Sequence, residues 1–190
     1  MAEIKSAFEI AMERADRIGK LSREELAERE WAEKGRKKAA DFLAGRTPDM
    51  KTALSDVPGE MLRTVIRSAS DTLLRNIVLP REHEQWDGIE KAMQGIAELK
   101  GSVAMQVIPG IRELLQQYEQ TRNQYLEQFK AQMDQAMQSA GQYGGMGGSG
   151  GGPDMNTIAA MQKEWDKISA ELNSQFEQQL EPALEYLRQI

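Results

Sequence analysis

Residues 61–77 read MLRTVIRSASDTLLRNI and contain the densest apolar stripe of the chain. Most of its apolar side chains stand three or four residues apart, the spacing that places them on one face of an α-helix. They are Met61, Leu62, Val65, Ile66, Ala69, Leu73, Leu74 and Ile77. Pro58 precedes the stripe and suits the first turn of a helix, where the missing N–H has no partner in any case. We therefore expect a helix here, and we expect it to lie at the core.

Helical periodicity extends over most of the chain, and the fold class follows from it. The sequence is rich in Ala, Glu, Gln, Leu, Met, Arg and Lys, all good helix formers. No convincing run of alternating apolar and polar residues predicts a strand. The sequence predicts an all-α protein of about six helices: an N-terminal pair, a central pair and a long C-terminal pair. The helices cover approximately residues 3–18, 22–44, 58–77, 81–99, 111–140 and 154–190.

Two stretches between these helices are harder to interpret. A connector over residues 45–59 has room for a short helical turn at 50–54. Residues 102–111 are mostly apolar but contain Pro109, which inside a helix would remove one hydrogen bond and clash with the previous turn. The second stretch is therefore either the kinked start of the long helix or a buried turn.

Residues 141–153 read GQYGGMGGSGGGP, a low-complexity segment that we expect to be flexible. The helices on either side have similar lengths and narrow apolar stripes, so we expect a long antiparallel hairpin with this segment as its disordered tip. Two such helices bury little by themselves and need the central pair, or a second protomer, to complete a bundle. The predicted division is 1–45, 46–102 and 103–190, as one cooperative domain with a mobile N-terminal part.

Composition excludes several classes of protein. The chain has 190 residues, no cysteine and one histidine, which excludes disulfides, thiolate nucleophiles, cysteine zinc sites and histidine-rich metal sites. The net charge of −6 argues against a nucleic-acid binder. No apolar run approaches the roughly 20 residues that a membrane span needs, and the N-terminus lacks the pattern of a secretory signal. We expect a cytoplasmic protein without a cofactor.

The flexible segment and the methionines near it are the first candidate for a binding site. Methionine side chains are flexible and polarizable, and surfaces rich in them bind varied apolar partners. The composition resembles the methionine-rich domain of signal-recognition particles and the glycine–methionine tails of chaperonins, which implies capture of apolar segments. In the alternative interpretation, the methionines within the helices belong to the bundle core and the loop is only a linker. The candidate partner-binding residues are Met133, Met137, Tyr143, Met146, Met155 and Met161.

Other features favour ordinary surface roles. The basic cluster of Lys34, Arg36, Lys37 and Lys38 is interpreted as a solvated helix face, since acidic side chains surround it. His83 lies between two glutamates that do not share its helix face, so it is predicted to be a surface histidine and not a metal ligand. No catalytic motif is recognisable.

The opening MAEIKSAFEIAMERADRIGKLSREELAERE, residues 1–30, resembles the start of a set of small uncharacterised bacterial proteins. The resemblance implies a bacterial protein and no particular activity.

The apolar stripes exceed the core they can form, and this surplus favours a non-catalytic scaffold, adaptor or assembly protein that acts through helix–helix contacts as a homo-oligomer. One alternative is a chaperone-like binder that uses the glycine–methionine tip. Another is an enzyme with a site made of Glu, Arg and Tyr.

Overall fold

A computed structural model describes residues 23–143 and 155–190 of the chain, and the side chains of residues 24–138 and 158–190. All regular structure within these residues is helical, so the predicted all-α class is confirmed. Short 3₁₀ turns at Gly59–Met61 and His83–Gln85 precede α3 and α4. The α-helices are α1 (Arg23–Leu43), α2 (Met50–Ala53), α3 (Leu62–Leu74), α4 (Trp86–Lys100), α5 (Ser102–Tyr143) and α6 (Met155–Gln189).

Some of the predictions concern parts of the chain outside the described residues. The helix predicted at 3–18 lies there, as does most of the glycine-rich segment 141–153. The structure divides the chain into two compact units, Met1–Leu73 and Leu74–Ile190. The three-part division expected from the sequence stays a prediction.

In the first unit, α1 and α3 approach each other closely at Gly35. A Cβ atom on Gly35 would lie 2.1 Å from the Ser68 hydroxyl oxygen and 2.6 Å from the Val65 carbonyl oxygen. Only a residue without a side chain allows this approach. Around this contact the unit buries a core of apolar side chains, as the dense stripe predicted. The buried residues are Ala39, Phe42, Met50, Ala53, Val65, Ala69 and Leu73.

In the second unit, α4 packs on α5, and α5 packs on α6. Gly101 separates α4 from α5 with a φ of 65°, a left-handed conformation that glycine adopts without strain. The core combines one face of each of the three helices. Its large members include Ile89, Met93, Ile96, Ile108, Ile111, Leu115, Tyr118, Leu172, Phe176, Leu180, Leu184 and Leu187.

Several predicted boundaries need correction. Of the two alternatives for residues 102–111, the start of the long helix is correct and the buried turn is wrong, because α5 begins at Ser102. The helix tolerates Pro109 because only one backbone hydrogen bond is lost, and Pro109 itself is exposed. The helix predicted to begin at residue 81 instead begins at Trp86, after the 3₁₀ turn. There the Gln85 side-chain oxygen accepts hydrogen bonds from the backbone N–H groups of Arg81 and Glu82, at 2.6 and 3.3 Å, which holds that segment outside the helix.

The predicted third helix also ends early. It was expected to reach Ile77, but α3 stops at Leu74, and residues 75–82 are non-helical. Ile77 and Leu79 remain buried, so the apolar pattern correctly marked core positions although the helix does not continue through them.

Candidate functional site

Two aromatic contacts define how α5 and α6 pair. Tyr118 meets Phe176 edge-on with ring centroids 5.4 Å apart, and Phe129 lies against Trp165 at the same distance. Later residues of α5 therefore meet earlier residues of α6, so the two helices run antiparallel over these positions.

Burial changes abruptly along this pair. The buried side chains of α5 end at Tyr118, and those of α6 begin at Leu172. Beyond these positions lie residues 119–138 and 158–171, which we call the distal arm. None of the side chains in these two ranges is buried. Two helices in contact cover only one side of each stripe, so the arm lacks the third layer that completes the core elsewhere in the unit.

The apolar stripe nevertheless continues along the whole arm. Seven of its side chains are half-buried: Leu126, Phe129, Met133, Ala136, Met161, Trp165 and Ile168. Tyr125, Met137 and Ile158 are exposed at 41%, 53% and 38%. Contiguous apolar surface of this kind, flanked by polar residues, is typical of interaction sites.

The structure places only part of the methionine site expected from the sequence. Met133 and Met161 are half-buried in the stripe of the arm, and Met137 is exposed. Tyr143 ends α5 and Met155 begins α6, and the side chains of both are outside the description. Met146 lies outside the described residues altogether. Their role in binding a partner stays a prediction.

The aromatic side chains of the arm are the part of the site that the sequence did not single out. Phe129 and Trp165 belong to the predicted helical stripes, but nothing in the stripe itself distinguishes them from the buried Tyr118 and Phe176. Their distinguishing property is exposure, which depends on where the third layer of helices stops. The sequence indicates this exposure only indirectly. Because α5 and α6 are much longer than α4, α4 cannot cover them over their whole length.

A polar pocket of about 280 Å³ lies at the base of the arm. The Tyr118 hydroxyl donates a hydrogen bond of 2.7 Å to Oδ1 of Asn173. Burial raises the pKa of the Tyr118 hydroxyl, whereas the nearby guanidinium groups of Arg122 and Arg81 act to lower it. The residues that line the pocket are Arg81, Tyr118, Arg122, Trp165, Asp166, Ser169, Ala170 and Asn173.

A second groove, of about 470 Å³, runs between α4 and α5. The Arg112 guanidinium donates two hydrogen bonds to the Glu90 carboxylate, at 2.6 and 2.7 Å. This bidentate contact lowers the pKa of Glu90 and raises that of Arg112. The strongest charges of the groove therefore neutralise each other, and its exposed Met105 adds apolar surface.

The lone histidine takes part in a contact that the sequence did not predict. Trp86 donates from its indole N–H to Oε2 of Glu119, at 2.9 Å, and Nδ1 of His83 lies 3.2 Å from Oε1 of the same carboxylate. The His83 side chain is 86% exposed, in keeping with the predicted surface position. Among residues 23–143 and 155–190, no group of three His, Asp or Glu side chains could hold a metal ion.

The basic cluster on α1 makes specific local contacts. Lys34 lies over the ring of Trp31, with its ammonium 3.8 Å from the ring centroid. Lys38 donates to the Ala53 carbonyl at 2.7 Å and pairs with Asp56 at 2.5 Å. Half of this cluster therefore stabilises the first unit, and the exposed Arg36 and Lys37 agree with the expected solvated face.

The chain matches a known protein family. A model described as a family of unknown function, DUF6657, matches residues 51–189. The chain belongs to this family. The DUF6657 match covers α3 to α6 and so includes both the distal arm and the polar pocket. It does not extend to residues 1–30, so the expected bacterial resemblance of that segment stays a prediction.

The other comparisons add no activity. Neither the curated proteins nor the solved structures contain a match to this member of DUF6657. In the described part of the chain, no helix combines the length and the apolar content that crossing a membrane requires.

Proposed function

We propose that the protein is a non-catalytic helical scaffold that self-associates through its distal arm. The observation that carries this proposal is the loss of burial beyond Tyr118 and Leu172, while the apolar stripe continues for several helical turns. A half-buried aromatic and aliphatic stripe is unfavourable in water, and covering it recovers roughly 25 cal/mol per Å² of apolar surface.

A second copy of the chain is the occupant that fits the arm best. Two antiparallel helices that meet the same pair around a two-fold axis form a four-helix bundle, in which each stripe is covered from both sides. Large flat rings such as Phe129 and Trp165 are typical anchors of such interfaces. The arm carries charges of both signs outside the stripe, for example Lys130 and Asp134, and these can form the rim.

The test compares two charge-introducing substitutions one residue apart. Phe129→Glu places a carboxylate in the stripe, whereas Gln128→Glu places the same group on an exposed neighbouring position. We expect a concentration-dependent dimer for the wild type by sedimentation equilibrium. We expect dimerisation of Phe129→Glu to be weaker by about tenfold or more, which is 1.4 kcal/mol or more, and that of Gln128→Glu to be unchanged. Circular dichroism checks that both variants keep their helices.

A wild-type monomer mass that does not change up to millimolar concentration would contradict the proposal. So would equal weakening by the two substitutions, since that would assign the effect to net charge and not to the stripe.

A second candidate function is capture of apolar protein segments, and the methionines of the arm favour it. Met133, Met137 and Met161 are accessible in the free protein. Deletion of residues 142–152 should leave self-association intact but abolish binding of an apolar peptide if the segment closes over it. Unchanged peptide binding after the deletion would reject the participation of this segment. A cytoplasmic location belongs to the same proposal. So does the absence of nucleic acid as a partner, which the net charge of −6 supports.

A further inference from the structure

The polar pocket is lined by two cationic groups that have no partner among the described residues. Within the described part of the chain, the guanidinium groups of Arg81 and Arg122 form no ion pair or hydrogen bond. Both line the same pocket as Tyr118 and act on its hydroxyl electrostatically, as does the opposite charge of Glu177. They come from different elements, since Arg81 precedes the 3₁₀ turn and Arg122 lies on α5. Two guanidinium groups from separate elements can grip one oxyanion from two directions.

Neutral hydrogen-bond donors lie beside the two arginines. The Ser169 hydroxyl oxygen is buried and has no hydrogen-bond partner among the described residues. Most buried hydroxyls in folded proteins are paired, so this one loses no hydrogen bond if the serine side chain rotates toward a ligand in the pocket. The Asn173 oxygen is occupied by Tyr118, which leaves its amide nitrogen as a further donor.

One wall of the pocket is aromatic. Trp165 is half-buried and lies against Phe129 on the side of the arm, and it also lines the pocket. Its ring can cover the flat apolar part of a ligand. The volume of about 280 Å³ leaves space for more than the charged group alone. Asp166 also lines the pocket and provides an acceptor, which fits a hydroxyl or amino substituent on the same ligand.

From these positions we infer that the polar pocket binds a small organic oxyanion, a carboxylate or a phosphate monoester, between Arg81 and Arg122. The hydroxyl of Ser169 and the amide of Asn173 complete the donors for the anionic oxygens. The apolar part of the ligand lies on Trp165. The arginines of this site lie outside the apolar stripe of the arm, and Trp165 is the residue that the pocket shares with the proposed self-association surface.

The experiment uses tryptophan fluorescence of the full chain. Trp31→Phe and Trp86→Phe together leave Trp165 as the only indole, since the sequence has three tryptophans. Benzoate, phenyl phosphate and inorganic phosphate are titrated separately, with benzylamine as a cationic control. We expect a saturable change for the two aromatic anions with a Kd of about 1 mM or lower, and weaker binding of inorganic phosphate. The stronger of the two aromatic anions identifies the class. Isothermal titration of the wild-type chain with the same compounds checks the result without substitutions.

Variants then test the assigned residues. Arg122→Gln should weaken binding about tenfold or more, because charge-assisted hydrogen bonds are lost, and Ser169→Ala should weaken it about threefold to tenfold. Lys130→Gln removes one positive charge from an exposed position on the same helix and should leave binding unchanged. Arg122→Lys, which keeps the charge without the planar fork, should give an intermediate affinity.

Three results would overturn the inference: no saturable response to any anion, binding of benzylamine as strong as that of benzoate, or equal losses in Arg122→Gln and Lys130→Gln. Repeating the titration on Met137→Glu separates the two proposals, because Met137 is an exposed residue of the apolar stripe that does not line the pocket. Anion binding should persist in that variant even where self-association is lost.

Discussion

At the residue scale, Gly35 is a position of the first unit that has no room for a side chain. Its absent side chain lets α1 approach the Val65 carbonyl oxygen and the Ser68 hydroxyl. Ser68 also donates to the Val65 carbonyl at 3.0 Å, so the groups that face Gly35 are linked to each other. The backbone atom cannot move away without displacing α3.

Gly35→Ala should therefore destabilise the protein, against the usual trend in a helix interior. Alanine is normally favoured over glycine there by about 1 kcal/mol, but overpacking should reverse the sign and cost about 1–3 kcal/mol. Gly110→Ala on α5 is the matched control, because its added Cβ would meet no atom within 4 Å. That control should be neutral or stabilising in urea denaturation. Equal effects of the two substitutions would contradict the close approach at Gly35.

The contact between Glu90 and Arg112 should make the stability of the folded state depend on pH. The hydrogen bonds from Arg112 lower its pKa. A lowered pKa means that the pair stabilises the folded state above the unfolded value of about 4.3, and that this contribution is lost as the pH falls through the folded value. Glu90 and Arg112 are about 40% exposed, at 42% and 39%, so the contribution is discounted for solvent screening to about 0.5–1 kcal/mol.

Glu90→Gln should lower the free energy of unfolding slightly at pH 7 and have less effect near pH 3. The measurement is urea denaturation across this range, with Glu113→Gln, an exposed glutamate on α5, as the control. A destabilisation that is as large at pH 3 as at pH 7 would show that the pair does not act through the charge of Glu90.

At the element scale, the helices could be predicted from the local sequence, whereas the burial of each apolar face by other helices could not. The periodicity of residues 61–77 correctly indicated a core helix, because helix formation and burial both follow from the spacing of apolar side chains. Pro109 left residues 102–111 ambiguous between a helix start and a buried turn. The sequence does not show that the proline lies near the start of a long helix, which loses only one backbone hydrogen bond there. The stripe around Phe129 resembles that around Leu115, and only tertiary packing makes one half-buried and the other buried.

The polar pocket was even less visible in the sequence. Arg81 and Arg122 are separated by some forty residues, and Ser169 is a further forty or more along the chain. Each is unremarkable by itself, since surface arginines and helical serines are common. Their juxtaposition depends on the register between α5 and α6, which the aromatic contacts establish in three dimensions.

The change of burial along α5 should be measurable as a change in hydrogen exchange. Residues 102–118 lie over the core and should be protected by at least about tenfold more than residues 119–138, because local opening of the arm exposes less buried surface. Raising the protein concentration should increase protection in the arm alone if the proposed self-association is correct. Uniform protection along α5 at low concentration would contradict the difference in local stability.

At the scale of the whole molecule, the net charge of −6 opposes association of two copies. The interface proposed here is apolar, so salt should screen the repulsion without weakening the attraction. We expect the dimer dissociation constant to fall a few-fold between about 20 mM and 500 mM sodium chloride, where the Debye length shortens from about 20 Å to about 4 Å. Sedimentation equilibrium at several salt concentrations measures this. Weaker association in high salt would instead indicate an interface held by ion pairs.

The unbroken course of α5 has a mechanical consequence. Its 42 residues span about 63 Å at 1.5 Å per residue. The helix packs into the core at one end and only against α6 at the other. The distance from the core to the end of the arm is therefore determined by the number of residues in the helix and not by a hinge. Inserting one heptad into α5 and another into α6 would extend that distance by about 10 Å and keep the apolar faces aligned. Inserting four residues instead of seven would rotate the apolar face of the arm away from the apolar face that packs into the core.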